Sequence, residues 1–109
     1  MTYSILGQSA PSAATLTTLY TVGATTESVG SSIVVCNRSS VATTFRVAIR
    51  PAGAAISDEH YLYYDVAIPG NETFIATIGM TLATTDVVSV YATLATLSFN
   101  LFGSETDLS

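Results

Sequence analysis

The one dense group of chemistry-bearing side chains in this sequence is Asp58-Glu59-His60, which contains the chain's single histidine. Imidazole beside two carboxylates is a combination that can hold a metal ion or move a proton. The spacing argues against both. Adjacent residues of an extended chain point to opposite sides, so these three converge only if a special turn gathers them. There is no HExxH and no second histidine to complete a ligand set. Serines are abundant, but a nucleophile needs a base and an orienting group, and one histidine gives little choice of either. The eight carboxylates are scattered over turns, not paired around an evident cleft. Glycine-rich phosphate loops are absent. Cys36 is the only cysteine and lies in the apolar run Ile33-Val34-Val35-Cys36, so it reads as a small buried hydrophobe. The expectation is a protein with no catalytic, cofactor or metal site.

Side chains suited to contact are easier to find. Tyr61, Tyr63 and Tyr64 sit in HYLYYDVAI, where a period of two puts Tyr61 and Tyr63 on one face and Tyr64 on the other. In TTFRVAIR the same period sets Phe45, Val47 and Ile49 against Arg46 and Arg50. Tyrosine and arginine are favoured at interface centres. Arg46, Arg50, Tyr61 and Tyr63 are therefore the candidate interface residues. The plainer reading has Tyr64 filling the core while Tyr61 and Tyr63 cap a sheet. Tyrosine faces can also stack on sugars.

The elements that carry these residues are strands. Residues 31–50 read as an antiparallel hairpin, two β-rich runs around the polar break Asn37-Arg38-Ser39-Ser40. Further strands fall near 3–8, 15–22, 60–68, 72–78, 86–93 and 97–101, between turn signals such as Pro51-Ala52-Gly53 and Pro69-Gly70-Asn71. Residues 81–85 form a short helical turn or a corner. Asn37-Arg38-Ser39 and Asn71-Glu72-Thr73 match the glycosylation pattern, but both fall in turns where asparagine serves the backbone. The fold class is all-β: one antiparallel β-sandwich of about eight short strands, immunoglobulin-like or jelly-roll. It occupies 1–109 as a single domain. Residues 103–109 form a polar, acidic tail, flexible or docked on a partner.

Composition describes the surface. Charged residues make up 10% of the 109, against about 25% in an ordinary soluble domain. Lysine is missing and threonine is plentiful. Free β proteins guard their edges with charge, often lysine, so a neutral surface predicts cover by neighbouring subunits. The net charge of -5 with only Arg38, Arg46 and Arg50 as fixed cations argues against nucleic acid and anionic membrane surfaces. A lone cysteine fits synthesis in a reducing cytoplasm. The start, Met1-Thr2-Tyr3-Ser4, lacks the basic region of a signal peptide.

The stretches GQSAPSAATLTTLYTV, SSIVVCNRSSVATTFRVAIRPAG, HYLYYDVAI and VYATLATLSFNLFG resemble a family of small virion structural proteins of tailed bacteriophages. VVCNRSS, TTFRVAIRPAG and HYLYYD carry the resemblance most specifically. It implies a non-enzymatic particle component, made in the host cytoplasm and located in the virion. Its implied partners are the major capsid protein or tail proteins, and further copies of itself. Small size favours capsid decoration or cementing. The alternatives are a tail baseplate or fibre component and, more remotely, a carbohydrate-binding module. The resemblance implies no catalytic residues and no cofactor.

Overall fold

The computed structural model describes residues 2–108. Its strands are β1 (Thr2–Ser9), β2 (Thr17–Thr21), β3 (Thr26–Asn37), β4 (Thr43–Arg50), β5 (Tyr61–Ile68), β6 (Thr73–Leu82), β7 (Val87–Ala92) and β8 (Leu97–Asp107). They form two four-stranded sheets, in the orders β1-β8-β3-β6 and β2-β7-β4-β5. Every pairing is antiparallel. No helix among the described residues is long and apolar enough to cross a membrane.

The strand order decides between the two expected sandwiches. The pairs β1–β8, β2–β7, β3–β6 and β4–β5 are the rungs of one long hairpin. The pairs β3–β8 and β4–β7 appear when that hairpin rolls up. This is a jelly roll, two sheets built from interlocked Greek keys.

Alternation fills the space between the sheets. Ile33 and Val35 of β3 and Leu97, Phe99 and Leu101 of β8 meet Phe45 and Val47 of β4 and Val88 and Val90 of β7, all fully buried. Phe45 lies at the centre, with its ring centroid 5.1 Å from Phe74 and 6.2 Å from Phe99 of the opposite sheet.

Three expectations fail here. Residues 31–50 do not make a hairpin. β3 bonds to β6 and β8, and β4 bonds to β5 and β7. The polar break carries the chain across from one sheet to the other. Its pivot is Asn37, only 1% exposed, whose side-chain amide donates to the Val41 and Pro69 carbonyls at 2.9 and 3.2 Å. Cys36 is half-buried, because Val35 and Asn37 take the inward positions on either side of it.

The third is the tail. Residues 103–107 belong to β8, which pairs with β1 as far as Glu105 and with β3 as far as Asp107. Leu108 N–H then donates to the Thr25 carbonyl at 2.8 Å. Only Ser109 of the expected tail lies outside the described residues. Gly103 pairs with Gly30, and a β-carbon on Gly103 would overlap the Val29 carbonyl. The Tyr20 hydroxyl donates to Glu105 at 2.5 Å and shares a 2.6 Å hydrogen bond with Ser28. Burial first, and then the Glu105 carboxylate, push the Tyr20 hydroxyl above its ordinary pKa. The segment is polar because it closes one end of the sandwich with a hydrogen-bonded network.

Candidate functional site

Arg46 organises the outer face of the β2-β7-β4-β5 sheet. Its guanidinium bonds to both carboxylate oxygens of Asp65, at 2.6 and 3.2 Å. It also stacks on two rings, 4.1 Å from the Tyr64 centroid and 4.4 Å from Tyr91. A planar cation suits both contacts at once. The paired charges hold the Asp65 carboxyl below its ordinary pKa, chiefly through the hydrogen bond from Arg46, and raise the Arg46 guanidinium further. A depressed carboxyl supports the fold above its unfolded value of about 3.9 and loses that support as pH falls through the folded value. Removing the partner tests this. In Arg46→Met the Asp65 carboxyl should titrate close to the ordinary value in an NMR pH series; an unchanged midpoint would mean that Arg46 is not the cause.

The backbone explains how this cluster forms. Asp65 has a φ of 52°, and β5 slips register against β4 on either side of Tyr63. The slip reverses the expected tyrosine faces. Tyr63 packs inward, 5.3 Å from Phe74 and 6.4 Å from Phe45. Tyr64 turns outward, 57% exposed, and Tyr61 meets it edge-on at 4.9 Å. Tyr61 and Tyr63 therefore do not share a face, and Tyr64 does not fill the core.

Arg50 shares the outer face with Arg46 but serves a different purpose. It donates to Ser89 at 3.1 Å and to the Ala54 carbonyl at 3.1 Å. These bonds tie the loop that follows β4 onto the sheet. Asp86 braces the same loop, accepting from the Ala52 N–H at 3.0 Å. Arg50 is thus engaged within its own chain.

Asp58, Glu59 and His60 do receive a special turn, a 3-10 helix of those three residues. The turn uses their polar groups locally. His60 Nδ1 accepts from the Ser57 N–H at 3.2 Å, and Glu59 accepts from the Ser57 hydroxyl at 2.5 Å. The hydroxyl contact is the main reason the Glu59 carboxyl sits below its ordinary pKa. Among the described residues no group of His, Cys, Asp and Glu is placed to hold a metal ion. An apolar groove of about 420 Å³ opens between β5 and β6, against Ile49, Leu62, Tyr63, Ile78 and Met80. Gly79 and Thr81 complete its lining, which contains no histidine, cysteine or carboxylate.

The broadest surface feature went unlocated by sequence reasoning. The outer face of β1-β8-β3-β6 is a ladder of uncharged rows. Tyr3, Ser104, Val29 and Thr81 form one row, and Ile5, Phe102, Ser32 and Thr77 the next. Gln8, Asn100, Val34 and Ile75 follow, then Ser98, Cys36 and Thr73. Tyr3 is 81% and Ile75 66% exposed, and Ile5, Val29 and Phe102 are exposed beside them. None of the residues in these rows carries a charge; the face ends in one further row, Glu27 beside Thr106, while Arg46 and Arg50 lie on the opposite sheet. The available signal was apolar residues in the outward phase of strands whose inward phase was already apolar, as at Ile75 between Phe74 and Ala76.

The chain has no significant match among protein-family models, curated proteins or solved structures. Functional inference therefore starts from these surfaces.

Proposed function

We propose that this chain is a non-enzymatic structural protein of a bacteriophage particle, seated on the assembled shell as a decoration or cement protein. One observation carries the reading: a sheet face four strands wide, uncharged except for Glu27 at one end, with exposed Tyr3, Ile5, Ile75 and Phe102. Exposed apolar patches of this kind mark contact surfaces. The sequence resemblance to phage virion proteins supports the same reading. So does the jelly roll, by analogy with the viral capsid domains that use this fold.

The mechanism is mass action. A protein that binds the assembled lattice and not its free subunits stabilises the lattice, by about 2.7 kcal/mol per site at a free concentration of a hundred times Kd. The partner is the major capsid protein, and neither nucleic acid nor membrane is required.

Labelled protein located in intact particles by electron microscopy tests the assignment. Regular occupancy of the shell, with a higher disassembly temperature than undecorated shells, is the expected result. Phe102→Lys should reduce that occupancy at least tenfold while leaving the fold intact. Label confined to the baseplate or fibres would replace the shell reading with a tail role. No association with particles would end both.

A further inference from the structure

The free edge of β6 holds an unused set of main-chain groups. Asn37 N–H donates to the Glu72 carbonyl at 2.9 Å, one step beyond the registered pair Cys36–Thr73. Antiparallel alternation then places the bonded positions of β6 at Phe74 and Ala76, opposite Val35 and Ile33. Thr73, Ile75 and Thr77 turn their N–H and C=O groups the other way. Among the described residues no strand lies beyond β6 in its sheet. Edges of this kind are normally blunted by lysine, proline or an inward charge. Residues 73–77 have none of these, and the strand's irregular point, Gly79 at a φ of 60°, comes after them.

We infer that β6 is the seam of a two-fold homodimer, in which Thr73-Phe74-Ile75-Ala76-Thr77 lies antiparallel against the same five residues of a second copy. The stretch is its own complement. With Ile75 on the axis, Ile75 faces its counterpart, Thr73 faces the partner's Thr77, and Phe74 faces the partner's Ala76. Large meets small on the inward side, and threonine meets threonine on the outward side, the latter a favourable cross-strand pair. The outward groups match in pairs and form about six main-chain hydrogen bonds. A second copy is the fitting occupant because each copy carries a net charge of -5 with none of it on these five residues. Self-pairing there brings no like charges together. It also joins two largely uncharged four-stranded faces into one continuous surface. The inference goes beyond the particle reading and does not rest on it.

Light scattering after size exclusion, on the purified full chain across a hundredfold concentration range, is the test. The expected mass is twice the 11.3 kDa chain. Ile75→Lys sets two cations across the axis, and Thr77→Pro removes an outward N–H that the single copy does not use. Both should run as monomers with an unchanged far-UV circular dichroism spectrum. Leu16→Lys, at an exposed apolar residue between β1 and β2 on the opposite edge of the sandwich, should remain dimeric. Amide exchange at Ile75 and Thr77 should be slow in the dimer and at least a hundredfold faster in Ile75→Lys. A wild-type chain that stays monomeric throughout overturns the inference, as does a dimer that survives Ile75→Lys. Neither outcome bears on particle binding, which is read separately by microscopy.

Discussion

Replacing Phe45 with alanine should cost about 3–5 kcal/mol of folding stability, the range for deleting a buried aromatic ring. Phe45 is fully buried on β4, and three rings pack around it: Tyr63 of its own sheet at 6.4 Å, Phe74 at 5.1 Å and Phe99 at 6.2 Å. It is the side chain through which the two sheets touch at mid-core. Val35 and Val47 are also fully buried there and held by their own strands, so they cannot slide in to fill the void. Part of the loss comes from the tilted ring contacts, which add about 0.5–1.5 kcal/mol per pair beyond area burial. Phe45→Leu keeps most of the volume and should cost about 1 kcal/mol. Urea denaturation separates the two. For the alanine variant the midpoint temperature should fall by roughly 15–30 °C. A loss below about 1 kcal/mol would mean that the sheets repack freely, contrary to a close-packed interior.

Which residues face inward was legible wherever one phase of a strand was apolar and its backbone regular. Phe45 and Val47 on β4 and Leu97, Phe99 and Leu101 on β8 follow the period of two from sequence to core. The pattern broke on β5 because Asp65 adopts a positive φ, which aspartate tolerates better than most residues, and a period of two assumes a regular backbone throughout. Tyr63 and Tyr64 exchanged faces as a result. Composition announced a neutral surface. It could not say that uncharged rows run side by side across one outer face from Tyr3 to Thr73, because that depends on β8 and β1 lying beside β3. Residues 103–107 looked like a tail for a related reason. Their polarity marks strand termini in most chains, and here it satisfies Tyr20 and Ser28 while Gly103 admits the neighbouring backbone. Periodicity reports a face and is silent on which strand is the neighbour. A two-residue loop would have forced β3 to pair with β4. The five residues between Asn37 and Thr43 permit either a hairpin or a crossing.

Asn37 is what settles that choice, and Asn37→Ala should destabilise the protein by about 2–4 kcal/mol. Beyond Asn37 the chain leaves one sheet for the other. Its amide group donates to the carbonyls of Val41 and Pro69, and its Oδ1 accepts from the Ser39 N–H at 3.1 Å. Val41 belongs to the crossing from β3 to β4, and Pro69 to the crossing from β5 to β6. One side chain therefore fastens the two crossings together. They touch again where Asn71 N–H donates to the Ser39 carbonyl at 2.8 Å, and where Gly70 leaves room for the Ser40 backbone. Alanine would strand two carbonyls and one N–H in a place that water reaches poorly. Aspartate distinguishes hydrogen bonding from packing. It keeps the Ser39 contact but turns an oxygen towards two carbonyl oxygens. Its carboxyl should therefore titrate above the ordinary range in the folded state, because protonation supplies the missing donor. The Asn37→Asp variant should be at least as unstable as Asn37→Ala near neutral pH and recover relative to it towards about pH 4. Equal urea midpoints for the two variants at both pH values would show that Asn37 acts by filling space and not by its amide.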